Sequence, residues 1–120
     1  MRQIQSSGSV KAFSLNRTEL LEKIHRVVQE AGAAFPRIQE ILLFGSLARH
    51  EETGLSDIDL CIIAIDLPDN PIDRLKLFYG FLTRRLPLAL DLLVLSPEEK
   101  ESRKEYLNSA LLLYKAGARP

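Results

Sequence analysis

The chain has 120 residues, 46% of them apolar and 27% charged, which fits one compact globular domain and excludes a disordered or fibrous chain. Lysine plus arginine balances aspartate plus glutamate at 16 each, so no global field draws in nucleic acid, and nucleic acid is not expected as a partner. No apolar run reaches the ~18 residues of a membrane span, Met1 to Val10 lacks a signal-peptide core, and the single Cys61 cannot close an internal disulfide. A cytoplasmic protein without a membrane partner is the expectation.

Residues 1–15 read as a flexible lead-in, polar and serine-rich around Ser6-Ser7-Gly8-Ser9, ahead of one domain over 16–120. Asn16 and Glu19 stand at capping-box spacing, and Leu20, Leu21, Ile24, Val27, Val28 and Ala31 follow at helical spacing up to a stop at Gly32. His25 sits at the edge of that apolar face, where a packed structural histidine is the reading. A connector through Pro36 leads to a short strand, Ile41 to Phe44, which ends at Gly45-Ser46. A short helix from Ser46 to about Glu52 comes next, broken by Glu51-Glu52-Thr53-Gly54. A second strand runs from Asp57 to Ile65, where Cys61 reads as a small buried thiol. Asn70 caps a helix that starts at Pro71 and runs to Arg84-Arg85, and Pro87 opens a third strand, Leu88 to Leu95. Ser96-Pro97-Glu98-Glu99 is a helix start, and a final helix or broken pair of helices carries Tyr106, Leu107, Ala110, Leu111, Leu113 and Tyr114 to about Gly117. This order predicts an α/β layer with helices packed on a small sheet.

The chemistry gathers at three places in this layout. Asp57 and Asp59 lie two residues apart at the mouth of the second strand, so alternation points both carboxylates one way. Like charges aimed at one spot repel unless a proton or cation sits between them, and Mg²⁺ suits such hard oxygen ligands. Asp91 interrupts an otherwise apolar third strand, where a carboxylate is costly unless it reaches solvent, a cation or a donor. It either faces the cleft of Asp57 and Asp59 or pairs with Arg84 or Arg85. In the first case three carboxylates suffice for a two-metal site with ions ~3.5–4 Å apart. Gly45-Ser46, at a strand-to-helix turn, allows close backbone approach to a phosphate, with Ser46 as a donor; a plain tight turn with a helix cap is the other reading. Arg49 contacts phosphate or pairs with one of the acids.

Gly45-Ser46-x-x-Arg49, followed by Asp57-x-Asp59 beginning eleven residues after the serine, resembles the signature of the DNA polymerase beta-type nucleotidyltransferase superfamily. Within it the chain most resembles the minimal nucleotidyltransferases, the MNT proteins of HEPN/MNT toxin–antitoxin pairs. One departure is His50, where the family usually carries glycine after the motif arginine. The resemblance implies a nucleotidyltransferase fold, α/β (α+β), with a small mixed three-stranded core sheet. It implies Mg²⁺ on Asp57, Asp59 and Asp91 as metal-binding and catalytic residues, and nucleotide binding by Gly45, Ser46 and Arg49. The implied reaction moves AMP from ATP, or another nucleoside monophosphate from its NTP, to a hydroxyl and releases pyrophosphate. The implied acceptor is a tyrosine on a HEPN-family protein partner, which the chain would thereby neutralise as an antitoxin. A non-catalytic antitoxin acting by binding is the alternative, and a small-molecule nucleotidyltransferase working as a homo-oligomer is a third. The apolar run Leu111-Leu112-Leu113-Tyr114 reads either as core or as a partner contact.

Overall fold

The computed structural model describes residues 17–45, 48 and 57–117. The lead-in over 1–15 and the Asn16 cap lie outside the described residues, as do Ser46, Arg49, His50 and nearly all of the short helix expected from Ser46 to Glu52. The elements in order are α1 (Arg17–Ala34), β1 (Ile38–Phe44), β2 (Ile58–Ala64), α2 (Pro71–Thr83), β3 (Leu90–Leu95), α3 (Pro97–Ser102) and β4 (Leu111–Lys115). The strands form one sheet in the order β3-β2-β1-β4. β1 runs antiparallel to both β2 and β4, while β2 and β3 are parallel, so the sheet is mixed.

Local chemistry starts the helices where the sequence predicts. The Asn70 carboxamide oxygen accepts from the Ile72 amide at 2.8 Å and the Asp73 amide at 3.4 Å, and Pro71 needs no partner for its nitrogen. At α3 the capping box is complete: Glu99 N donates to Ser96 Oγ at 3.1 Å, and Ser96 N donates to Glu99 Oε1 at 2.8 Å. Arg74 ties the two helices together by donating to Glu99 Oε1 at 2.6 Å and to the Pro68 carbonyl at 2.6 Å. Its guanidinium holds the Glu99 carboxyl below the ordinary carboxylate value.

The strands bury apolar side chains on both faces, with a larger core on one side. Ile41 and Leu43 of β1, Leu60 and Ile62 of β2 and Val94 of β3 meet Ile24, Val28 and Ala31 of α1 and Phe78 and Leu82 of α2. The alternate residues turn the other way. Leu42, Cys61, Ile63 and Leu95 form a second, smaller cluster closed by Leu107. Burial pushes the Cys61 thiol up to about 12, in keeping with an inert core cysteine.

Two expectations are corrected. The sheet has four strands, not three, because the segment read as the end of a final helix is β4. Helix α3 stops at Ser102, turns occupy 103–109, and Leu111–Lys115 pairs with β1. The run Leu111-Leu112-Leu113-Tyr114 has no polar residue to set a period, so its apolar content suits strand and helix alike. Gly32, read as a stop, lies inside α1, which continues to Ala34. Its bare Cα is covered by the Tyr114 ring, which a Cβ there would overlap. The gap lets β4 close onto the helix, where Gln29 Nε2 also donates to the Leu113 carbonyl at 2.8 Å.

Candidate active site

The register of β2 against its neighbours gathers the candidate residues. Asp59 is the partner of Phe44 across the antiparallel pair and of Asp91 across the parallel pair. Alternation then decides the face. Asp59 shares its side of β2 with Cys61 and Ile63, and Asp91 shares its side of β3 with Leu93 and Leu95. Both carboxylates therefore project from the face that bears the smaller core, at the strand ends that this core leaves open.

A cleft of about 260 Å³ occupies that place, walled by Phe44, Asp59, Asp91, Leu92, Leu93 and Tyr106. Asp59 is half-buried and Asp91 exposed. Among the described residues Asp91 makes no ion pair, and the suggested partner Arg85 is engaged elsewhere. Arg85 Nε lies 3.7 Å from Glu30 Oε1, and its guanidinium stacks 3.6 Å over the Phe81 ring. Asp91 thus stands at the cleft beside Asp59.

Gly45, just past the end of β1, lies against Asp59. Its φ of +77° is open to glycine and costly for other residues. A Cβ built there would overlap the Asp59 carboxylate and stand 2.9 Å from its carboxyl carbon. The backbone at Gly45 thus runs directly against Asp59, and a Cβ there would require the carboxylate to shift.

Asp57 is exposed, immediately ahead of β2, and is not among the described walls of the cleft. Pairing does reach this end of the strand, since Ile58 N donates to the Ala89 carbonyl at 2.8 Å. Among the described residues no group of three His, Cys, Asp or Glu is gathered closely enough to hold a metal ion. What the described residues present is a pair of carboxylates, Asp59 and Asp91, in register on adjacent strands. In kind this donor set fits a hard divalent cation, being carboxylate oxygens at an open cleft with one more acid at the strand mouth. Ser46 and Arg49 lie outside the described residues.

The two aromatic walls of the cleft, Phe44 and Tyr106, were not singled out by sequence. Phe44 precedes the Gly45-Ser46 bend and was read only as the last residue of a strand. Tyr106 was read as part of a helical apolar face. It stands instead on the turns of 103–109, 64% exposed, with its ring 5.9 Å from that of Phe44 in an edge-to-face arrangement. Position next to the motif could have flagged Phe44, whereas Tyr106 reaches the cleft only through the path of those turns.

Comparison with known proteins finds the same fold elsewhere. A "putative nucleotidyltransferase" from Sulfolobus solfataricus has a similar structure, with a TM-score of 0.62 at 23% identity over 93% of this chain and 91% of that one. A toxin–antitoxin complex crystallised with AMP-PNP matches with a TM-score of 0.55 at 25% identity, over 86% of this chain and 76% of that one. A complex of tri-AMPylated Shewanella oneidensis HEPN toxin with MNT antitoxin gives a TM-score of 0.51 at 22% identity, over 84% of this chain and 74% of that one. No curated protein matches the chain. The described residues contain no helix long and apolar enough to cross a membrane. The family model for polymerase beta, nucleotidyltransferase, matches residues 22–118, nearly the whole described fold, and the chain belongs to that nucleotidyltransferase family.

Proposed function

We propose that the chain transfers a nucleoside monophosphate, AMP from ATP, to a tyrosine hydroxyl on a HEPN-type partner protein and so acts as an antitoxin. The observation that carries this reading is the in-register pair Asp59 and Asp91 at one open cleft, with the Gly45 backbone pressed against Asp59. Family membership supports the reaction class, and the solved complexes with an AMPylated HEPN toxin and with AMP-PNP support the partner and the nucleotide.

Asp59 and Asp91, with Asp57 at the strand mouth, would hold Mg²⁺, which when bound offsets the charge of the phosphate oxygens. The chain's own groups do the remainder. Gly45 permits the backbone to approach the phosphates closely. Ser46 and Arg49 are the motif's donors to those phosphates. Asp91, the exposed member of the pair, orients the acceptor hydroxyl and takes its proton. The acceptor oxygen bonds to the α-phosphorus, the α–β anhydride bond breaks, and pyrophosphate leaves.

The test is incubation of the chain with α-labelled ATP, MgCl₂ and a HEPN-type protein. Label should appear on a tyrosine of that protein with release of pyrophosphate, and Asp59→Asn or Asp91→Asn should lower the rate at least about a hundredfold. A partner that is silenced without label, equally well by the Asp59→Asn/Asp91→Asn chain, would sink the transfer reaction and identify an antitoxin that acts by binding.

A further inference from the structure

The two acids account for only part of the described wall of the cleft. Its other described walls are apolar: Phe44 at the end of β1, Leu92 and Leu93 of β3, and the Tyr106 ring. Asp59 and Asp91 stand directly opposite one another on neighbouring strands, so the polar portion is confined to one part of the wall. A nucleoside triphosphate is divided in the same way, with a charged chain at one end and a flat, apolar-faced base at the other.

Tyr106 is built to stay at this cleft. The neighbouring Leu107 is buried in the smaller core with Leu42, Cys61 and Ile63, and Leu107 N donates to the Arg103 carbonyl at 3.1 Å. That anchor fixes the turn while Tyr106 itself remains 64% exposed. Phe44 meets the Tyr106 ring edge-to-face, 5.9 Å between centroids and 60° between planes, which buttresses the ring without covering both its faces. A large aromatic left this open beside a pair of carboxylates has a face available for a planar ligand.

We infer that Tyr106, supported by Phe44, is the nucleobase platform of the cleft, on which the base of the donor nucleotide stacks while its phosphates extend toward Asp59 and Asp91. This rests on the nucleotidyl-transfer reading above and adds to it the residue that holds the base. Stacking uses the ring face and not the phenolic hydroxyl, and every base offers a π-face, so purine or pyrimidine would bind, with the larger purine gaining more contact.

The measurement is equilibrium binding of two probes in MgCl₂, AMP-PNP and inorganic tripolyphosphate, to the parent chain and to Tyr106→Phe, Tyr106→Leu and Tyr106→Ala. Tyr106→Ala should weaken AMP-PNP between about five- and a hundredfold, the range that loss of one base–aromatic stack gives. Tyr106→Leu, with bulk but no π-face, should weaken it as well, and Tyr106→Phe should restore parental affinity. Tripolyphosphate should bind all four chains alike. The platform is overturned if the parent binds both probes and Tyr106→Ala leaves AMP-PNP unchanged, or weakens tripolyphosphate equally. It is also overturned if Tyr106→Phe loses as much as Tyr106→Ala, which would assign the effect to the hydroxyl. A parent that binds neither probe would instead remove the nucleotidyl-transfer reading beneath it.

Discussion

At the scale of single residues, Gly45 shows how backbone conformation and site chemistry meet. Two separate demands fall on it: a φ of +77°, and a Cα close enough to Asp59 that any side chain would overlap the carboxylate. Gly117 separates the two, because its φ is +82° but a Cβ there meets nothing within 4 Å. Alanine at either position should cost about 1–2 kcal/mol for the left-handed conformation. Only Gly45→Ala should also push Asp59 aside. Displacement of a reacting group by about 1 Å can cost on the order of a hundredfold in rate, so Gly45→Ala should lose most of the transfer activity while Gly117→Ala keeps it. Denaturant midpoints measured beside the rate of AMP transfer check this. Equal activity in the two variants would mean that the close approach to Asp59 is incidental.

At the scale of elements, what was legible in the sequence was whatever local chemistry states outright. The Asn70 and Ser96 caps, the proline starts and the acids at β2 and β3 each announce themselves through a residue type that is costly or useless elsewhere. Asp91 could be singled out because a carboxylate within Leu88–Leu95 needs a reason. Which of its two readings holds, the cleft of Asp57 and Asp59 or a pair with Arg84 or Arg85, could not be read, since the match of Asp59 to Asp91 is a matter of strand register. Nor could β4, whose leucines carry no periodic signal, and whose place is settled by a glycine in a different element. Gly32 makes that dependence testable. By intrinsic propensity alone Gly32→Ala should strengthen α1 by ~1 kcal/mol. The added methyl, however, would lie within the volume of the Tyr114 ring, so β4 must shift away. Overpacking of this kind costs typically ~1–3 kcal/mol, and a ring held on a paired strand has little room to move. Gly32→Ala should therefore be net destabilising, and Gly32→Ala/Tyr114→Leu should recover most of the loss, because the smaller side chain leaves space for the methyl. Thermal melts of the two single variants and the double variant close the cycle. A stabilised Gly32→Ala would show that Tyr114 yields freely.

For the whole molecule, the sheet divides labour between its two faces. The α1–α2 face holds the larger core, with Phe78 fully buried and edge-to-face on Phe35 at 5.2 Å. The opposite face holds the smaller core, and the cleft with Asp59 and Asp91 continues from it. Two truncations of buried side chains, one on each face, should thus separate stability from binding. Phe78→Leu removes an aromatic pair and part of a core volume, costing about 1–2 kcal/mol, and should lower the melting temperature without altering nucleotide affinity while the chain is folded. Leu107→Ala empties a site in the smaller core and should cost about 2 kcal/mol or more. It should in addition weaken AMP-PNP, because Leu107 is the anchor of the turn that presents Tyr106 to the cleft. The two losses differ in kind even where they match in size: the first is seen only on heating, the second also in the dissociation constant at a temperature where both chains are folded. The comparison is made by measuring melting temperature and AMP-PNP affinity on the same two preparations. If Phe78→Leu weakened the nucleotide as much as Leu107→Ala, the sheet would be passing strain from one face to the other, and the cleft could not be treated as the property of the smaller core alone.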